Sequence, residues 1–175
     1  MKRITTAAVV AAMLAAAAIA LAAEFTARNG ELHATVIDIY AAKHEMVATG
    51  GVKLTTVEGV LLADRMEATL DANNYLTSAQ AIGKVKVDLD WVGSDKKRRR
   101  VNAQGDHGTY NVGDRTVVLT GHVTGKAVEV EANTSFDLNG DKVTMFLRES
   151  RYRVEGAPAK ITYTEPEPAP ETPPK

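Results

Sequence analysis

The side chains able to do chemistry in this sequence are few and scattered. Its four histidines, His33, His44, His107 and His122, show none of the short spacings that gather metal ligands. Asp106-His107 is an acid–imidazole pair, but Gly105 and Gly108 flank it, a setting for a turn rather than for a general base. Cysteine is absent, which removes thiol nucleophiles, disulfides and a lipoprotein acylation site. No glycine-rich phosphate loop is present, so any ATP hydrolysis belongs to another protein. We therefore expect no enzyme, no metal and no cofactor. One cluster remains. Lys96, Lys97, Arg98, Arg99 and Arg100 follow Gly93-Ser94-Asp95 in a loop or strand start. Guanidinium groups match phosphate oxygens in geometry and charge, which makes the run a candidate phosphate contact. The plain alternative is a solvated loop. A net charge of −1 and the lack of interleaved aromatic residues argue against nucleic acid.

The elements that carry these residues read as strands. In Lys84-Val85-Lys86-Val87-Asp88-Leu89-Asp90-Trp91, apolar and charged residues alternate strictly, as in a strand with one dry and one wet face. Val60, Leu62, Asp64, Met66, Ala68 and Leu70 share one parity, with Arg65, Glu67 and Thr69 opposite. Residues 116–123, 128–133 and 143–147 are alternating or β-branched. Turns are expected at Thr49-Gly50-Gly51, Asp71-Ala72-Asn73-Asn74, Asn111-Val112-Gly113-Asp114 and Leu138-Asn139-Gly140-Asp141. The pattern predicts an all-β domain over residues 25–163, with about a dozen short antiparallel strands.

A repeat runs through it. Gly50-Gly51-Val52, Gly83-Lys84-Val85 and Gly121-His122-Val123 share a Gly-x-Val core. Ala63-Asp64, Ala103-Gln104-Gly105-Asp106 and Ala132-Asn133 stand as a second, weaker motif. Each unit is roughly one hairpin, too small to be stable alone, so the units must stack and share an interior. The repeat glycine allows a bend or bulge where the sheet folds over. Val52, Leu54, Leu62, Met66, Leu70, Val85, Val87, Leu89, Val117, Leu119, Val123, Phe136 and Leu138 are expected to line that interior. Aromatic residues are only 5% of the chain, so few rings plug the middle. The interior is either an ordinary closed core or an open apolar groove for acyl chains.

The two ends differ from this domain. Lys2 and Arg3 precede an apolar run over residues 7–20, and Ala20-Leu21-Ala22 supplies the small-x-small pattern of a signal peptidase site. Residues 1–22 thus read as a signal peptide cleaved after Ala22, with an uncleaved membrane anchor as the alternative. At the other end, residues 164–175 hold five of the chain's six prolines and read as a disordered Pro/Glu-rich tail.

In this order, the stretches ATGGVKL, LLADRMEATL, AIGKVKV, VNAQGDHGTYN, RTVVLTGHVTG and NGDKVTMFLRES resemble the LptA/OstA periplasmic lipopolysaccharide-transport family. The resemblance covers about residues 32–154. The family commonly has Asn after the repeat glycine, where this sequence has Gly51, Lys84 and His122.

The resemblance implies a folded antiparallel β-jellyroll, or β-taco, built from repeated hairpins. It implies a non-catalytic periplasmic carrier that shields lipid A acyl chains in an apolar groove. The expected partners are lipopolysaccharide, an inner-membrane LptC-like protein, an outer-membrane LptD-like protein, and further copies joined head to tail. The thirteen apolar residues named above would then be the lipid-binding groove. Two alternatives remain: an LptC-like relative that keeps its N-terminal anchor, and a structural or adhesion β-domain that binds no lipid.

Overall fold

The computed structural model describes residues 30–164. The signal-peptide reading of residues 1–22 lies outside them, as does the tail from residue 165 onward. Alternation of apolar and polar side chains drives nearly all the described chain into strands. In order these are β1 (Glu31–His33), β2 (Val36–Tyr40), β3 (Glu45–Thr56), β4 (Gly59–Leu70), β5 (Leu76–Val92) and β6 (Arg98–Asn111). There follow β7 (Thr116–Glu129), β8 (Thr134–Phe146), β9 (Arg151–Glu155) and β10 (Lys160–Thr164). A short 3-10 turn, Ala41–Lys43, joins β2 to β3.

All ten strands belong to one antiparallel sheet. From β3 to β8, each strand pairs with its neighbours in sequence. At one end β1 and β2 both pair with β3; at the other β9 and β10 both pair with β8. Each terminal rung is thus one strand broken in two.

The strands are fewer and longer than the sequence suggests, because the expected turn at Gly50-Gly51 lies inside β3 and that at residues 138–141 lies inside β8. The turn joining β7 to β8 falls at residues 130–133 instead, in a stretch whose β-branched start reads as strand. The turns at residues 71–74 and around Gly113 are where the sequence puts them.

The long strands are bent rather than broken. Pairing shifts register between Thr49 and Val52, Leu62 and Arg65, Ile82 and Val85, Gln104 and His107, and Thr120 and Val123. These irregularities line up across the sheet as a ridge, and the sheet folds over along it. On β5 and β7 the bend is a Gly-x pair with both residues at positive φ: Gly83 at +77° with Lys84 at +48°, and Gly121 at +78° with His122 at +49°. The second position explains the Asn common in the family, since Asn tolerates the left-handed region better than Lys or His. On the strands between, an aspartate occupies the bend. Asp64 lies against Gly83, Asp106 against Gly121, and Asp141 against Gly156. The third aspartate of the repeat is therefore Asp141; Ala132-Asn133 sits in the β7–β8 turn.

Folding produces two layers with their inner faces together. The first layer holds the C-terminal halves of β3, β5 and β7 and the N-terminal halves of β4, β6 and β8. The second holds the complementary halves. Between them lies one continuous core, including Val52, Leu54, Met66, Val85, Val87, Val101, Leu119, Val143 and Met145. Several inward positions are alanine: Ala48, Ala63, Ala79, Ala81 and Ala103. These small side chains let the layers approach closely.

Candidate lipid-binding interior and its mouth

Of the thirteen residues expected to face inward, eleven are buried in the core: Val52, Leu54, Met66, Leu70, Val85, Val87, Leu89, Val117, Leu119, Val123 and Leu138. Phe136 is half-buried and packs against that core and the Tyr163 ring. Leu62 differs: it is 40% exposed and points outward, while its neighbours Leu61 and Ala63 are buried. The cause is the bend. On β4 the inward positions are Leu61 and Ala63 before Asp64, then Met66, Ala68 and Leu70 after it. The strand changes parity at the bend, so a strict alternation carried back from Met66 selects the wrong face. The Gly-x bends of β5 and β7 keep parity, and every inward residue expected there is buried.

The interior is closed rather than an open groove. Leu119, Val85 and Val143 are 0% exposed. An apolar cavity of about 20 Å³ lies among Leu54, Leu61, Val87, Leu89, Tyr110 and Val117, with Glu58 at its edge. That is space for roughly one water molecule, not for an acyl chain. Cargo in this interior requires the layers to part.

At the ends of the sheet the inner face does reach the surface. Directly opposed residues in an antiparallel pair share a face. Ile37 and Ile39 oppose the buried Ala48 and Met46, and Ile161 and Tyr163 oppose Leu138 and Phe136. All four end residues are exposed. The apolar inner face thus runs from one terminal rung to the other and emerges at both. The outer edges of these rungs carry no further strand among the described residues.

Opposite the ridge, the strand ends of the two layers meet at a mouth held by polar contacts. The β3–β4 turn of the first layer carries Glu58, whose side chain is buried. Tyr110 of the second layer donates its hydroxyl to Glu58 Oε2 at 3.1 Å, and Arg115 donates Nε to Oε1 at 3.0 Å. Burial and the Glu58 charge push the Tyr110 hydroxyl well above the usual tyrosine range, so it stays a donor. A second tie joins Arg99 Nη1 to Ser150 Oγ at 3.0 Å. The Trp91 ring, from the first layer, meets Tyr152 of the second edge-on, with centroids 6.3 Å apart. Burial pushes the Tyr152 hydroxyl up to about 12. Trp91 Nε1 is buried with no hydrogen-bond partner. Nothing local in the sequence marks Glu58, Tyr110, Arg115 or Ser150, because their association is across layers.

The basic run sits on the rim of this mouth, and its charges are largely matched. Arg98 bonds both oxygens of Asp90 at 2.7 and 2.6 Å, and Arg100 reaches the same carboxylate at 2.9 Å. Those guanidinium groups, Arg98 first, hold the Asp90 carboxyl down at about 2. Lys97 pairs with Glu129. Arg99 alone of the five is buried, bonded to Asp95 and Glu129 as well as Ser150. Lys96 is exposed and carries no ion pair among the described residues.

A single antiparallel sheet folded along a ridge of bulges, with a continuous apolar interior, defines the β-jellyroll class. A crystal structure of this class is similar: LptH of Pseudomonas aeruginosa, described as the LptA homologous periplasmic component of the conserved lipopolysaccharide transport device. The two align with a TM-score of 0.60 at 16% identity, over 79% of this chain and 95% of that one. The family described as LptA/(LptD N-terminal domain) LPS transport protein matches residues 31–151. The chain belongs to that family of lipopolysaccharide transport proteins. No curated protein matches the sequence. Among the described residues, no helix is long and apolar enough to cross a membrane.

Proposed function

We propose that this chain is a non-catalytic periplasmic carrier that shields the acyl chains of lipopolysaccharide between its two layers. The observation that carries the reading is the apolar inner face, continuous through the core and exposed at both terminal rungs by Ile37, Ile39, Ile161 and Tyr163. Each methylene left in water costs about 0.8 kcal/mol, so a long acyl chain crosses an aqueous space only along such a face.

The open edges of β1–β2 and β9–β10 are templates for strand addition. In this reading they take an LptC-like protein at one end, an LptD-like protein at the other, and further copies of this chain between, so bridging the two membranes. In this reading the exposed rim residues Lys96, Lys97, Arg98 and Arg100 contact the phosphates of a bound lipid A. Arg98 and Arg100 would exchange Asp90 for phosphate. Arg99 holds the mouth instead.

The test is native mass spectrometry of the chain purified without detergent, mixed with lipopolysaccharide or with its deacylated form. Binding that requires the acyl chains supports the carrier. Failure of the folded protein to bind either form overturns it and favours a structural or adhesion domain. The intact mass of the exported protein separates cleavage after Ala22 from a retained anchor.

A further inference from the structure

Glu58 borders two spaces at once. Behind it lies the small apolar cavity between Leu54, Val87 and Tyr110. In front lies a surface cleft of about 480 Å³ lined by Val57, Asp90, Trp91, Val92, Arg98 and Arg115. Glu58 lines both, with Tyr110 beside it on the cavity side and Arg115 on the cleft side. The cleft has the mixed character of an amphiphile site. Val57 and Val92 expose apolar side chains on its rim, at 88% and 58%, while Arg98 and Arg115 supply charged donors. Trp91 adds an unsatisfied N–H buried in the same wall. A buried donor with no acceptor disfavours the closed arrangement and is relieved by any ligand oxygen that reaches it.

We propose that Glu58, Arg115 and Tyr110 form the catch of a side entrance, through which a single amphiphile with an anionic head group loads into the interior. Arg115 exchanges the Glu58 carboxylate for the head group, and Trp91 N–H becomes able to reach a second ligand oxygen. Released at Glu58 and still tied at Arg99–Ser150, the two layers part locally beside Glu58 and admit the tail. Binding adds the negative charge of the head group to a cleft that already pairs Glu58 and Asp90 with Arg115 and Arg98, so the displaced Glu58 carboxylate turns out to water as the head group enters. Loading from the side is distinct from passage along the sheet between its ends, and it rests on the carrier reading above.

The chain's lone tryptophan, Trp91, reports directly on the mouth by fluorescence. Dodecyl phosphate below its micelle concentration is the probe, with inorganic phosphate and an uncharged dodecyl maltoside as comparisons. Because the sequence has no cysteine, the exposed neighbours of the catch can be changed as a Val57→Cys/Asp114→Cys pair, which keeps Glu58, Tyr110 and Arg115, and joined by a short bismaleimide, with a monofunctional maleimide as control. Wild type should bind dodecyl phosphate, with a shift in Trp91 emission. Glu58→Gln, which keeps the Tyr110 bond but frees Arg115, should bind several-fold tighter. The cross-linked pair should bind about tenfold or more weakly than its monofunctional control.

Equal binding by linked and unlinked protein overturns the side entrance while leaving the carrier intact. Equal binding of the maltoside overturns the head-group exchange. An emission shift of the same size with inorganic phosphate alone makes the cleft a site for soluble anions and overturns loading there. If wild type binds lipopolysaccharide but not dodecyl phosphate, this entrance falls and the carrier stands; if it binds neither, both fall.

Discussion

Asp106 fills the space that a side chain on Gly121 would need: a Cβ built there lies 2.7 Å from the Asp106 Cβ. Gly121 also sits at φ +78°, so both backbone and neighbour exclude other residues. Gly121→Ala should cost roughly 2–4 kcal/mol, combining left-handed strain with crowding. Gly51, at φ +70° with open space around it, isolates the first contribution. Gly51→Ala should cost only about 1 kcal/mol. Urea unfolding midpoints compare the two, and equal losses would mean that the aspartate yields freely.

The parity change at Asp64 sets up a sharper test. Val85 and Leu119 are wholly buried, so Val85→Glu or Leu119→Asp places an unpaired charge between the layers. Either should cost upwards of about 3 kcal/mol, and cargo binding should be lost with the fold or without it. Leu62→Asp points outward and should change stability by less than about 1 kcal/mol. Circular dichroism with denaturant, followed by lipid binding, separates these cases. A severe loss from Leu62→Asp would refute the assigned register.

The hydroxyl of Tyr110 is the neutral half of the Glu58 catch. Tyr110→Phe leaves the buried carboxylate with Arg115 alone and should destabilise by about 1–2 kcal/mol. Tyr40→Phe, on an exposed ring at the sheet edge, should change almost nothing. Matching thermal melts of the two variants would show that the bond across the mouth adds no stability.

Asp90 makes a prediction for pH. Its folded pKa is depressed to about 2 from the ordinary 3.8, with Arg98 the largest cause. A depressed carboxyl stabilises the fold fully above its unfolded value, and that contribution fades as pH falls through the folded one. Wild type should therefore lose stability between pH 4 and 2 more steeply than Asp90→Asn. The pair is partly solvated, so the difference is modest and shrinks in salt. Denaturant midpoints across that window at low and high salt provide the measurement.

Much of this architecture was legible in residue order because alternation is a local property. The Lys84-to-Trp91 stretch declares its buried face directly, and the structure buries Val85, Val87, Leu89 and Trp91. What was not legible arises where two strands negotiate a bend together. Gly50-Gly51 has the composition of a hairpin turn, yet it is a bulge within β3, because pairing with β4 resumes on its far side. Leu62 faces outward against simple alternation because its strand absorbs the bend by an aspartate and a change of parity. The basic run read as a free cluster because its counter-charges, Asp90 and Glu129, lie on other strands. Residue order does not mark Glu58, because its partner Arg115 is 57 positions away.

The strand order has a consequence for how such a molecule changes size. Because β3 to β8 run as a simple meander, two dimensions are set by independent parts of the sequence. Strand length fixes the girth around the interior, and the number of hairpins fixes its reach. Duplicating one hairpin would extend the sheet by about 9.5 Å, two strand spacings, without disturbing the girth. Inserting residues within a single strand would instead break the alignment of its bend with every neighbour. Growth by whole hairpins is therefore the tolerated path, and a longer relative should differ from this chain in multiples of that unit.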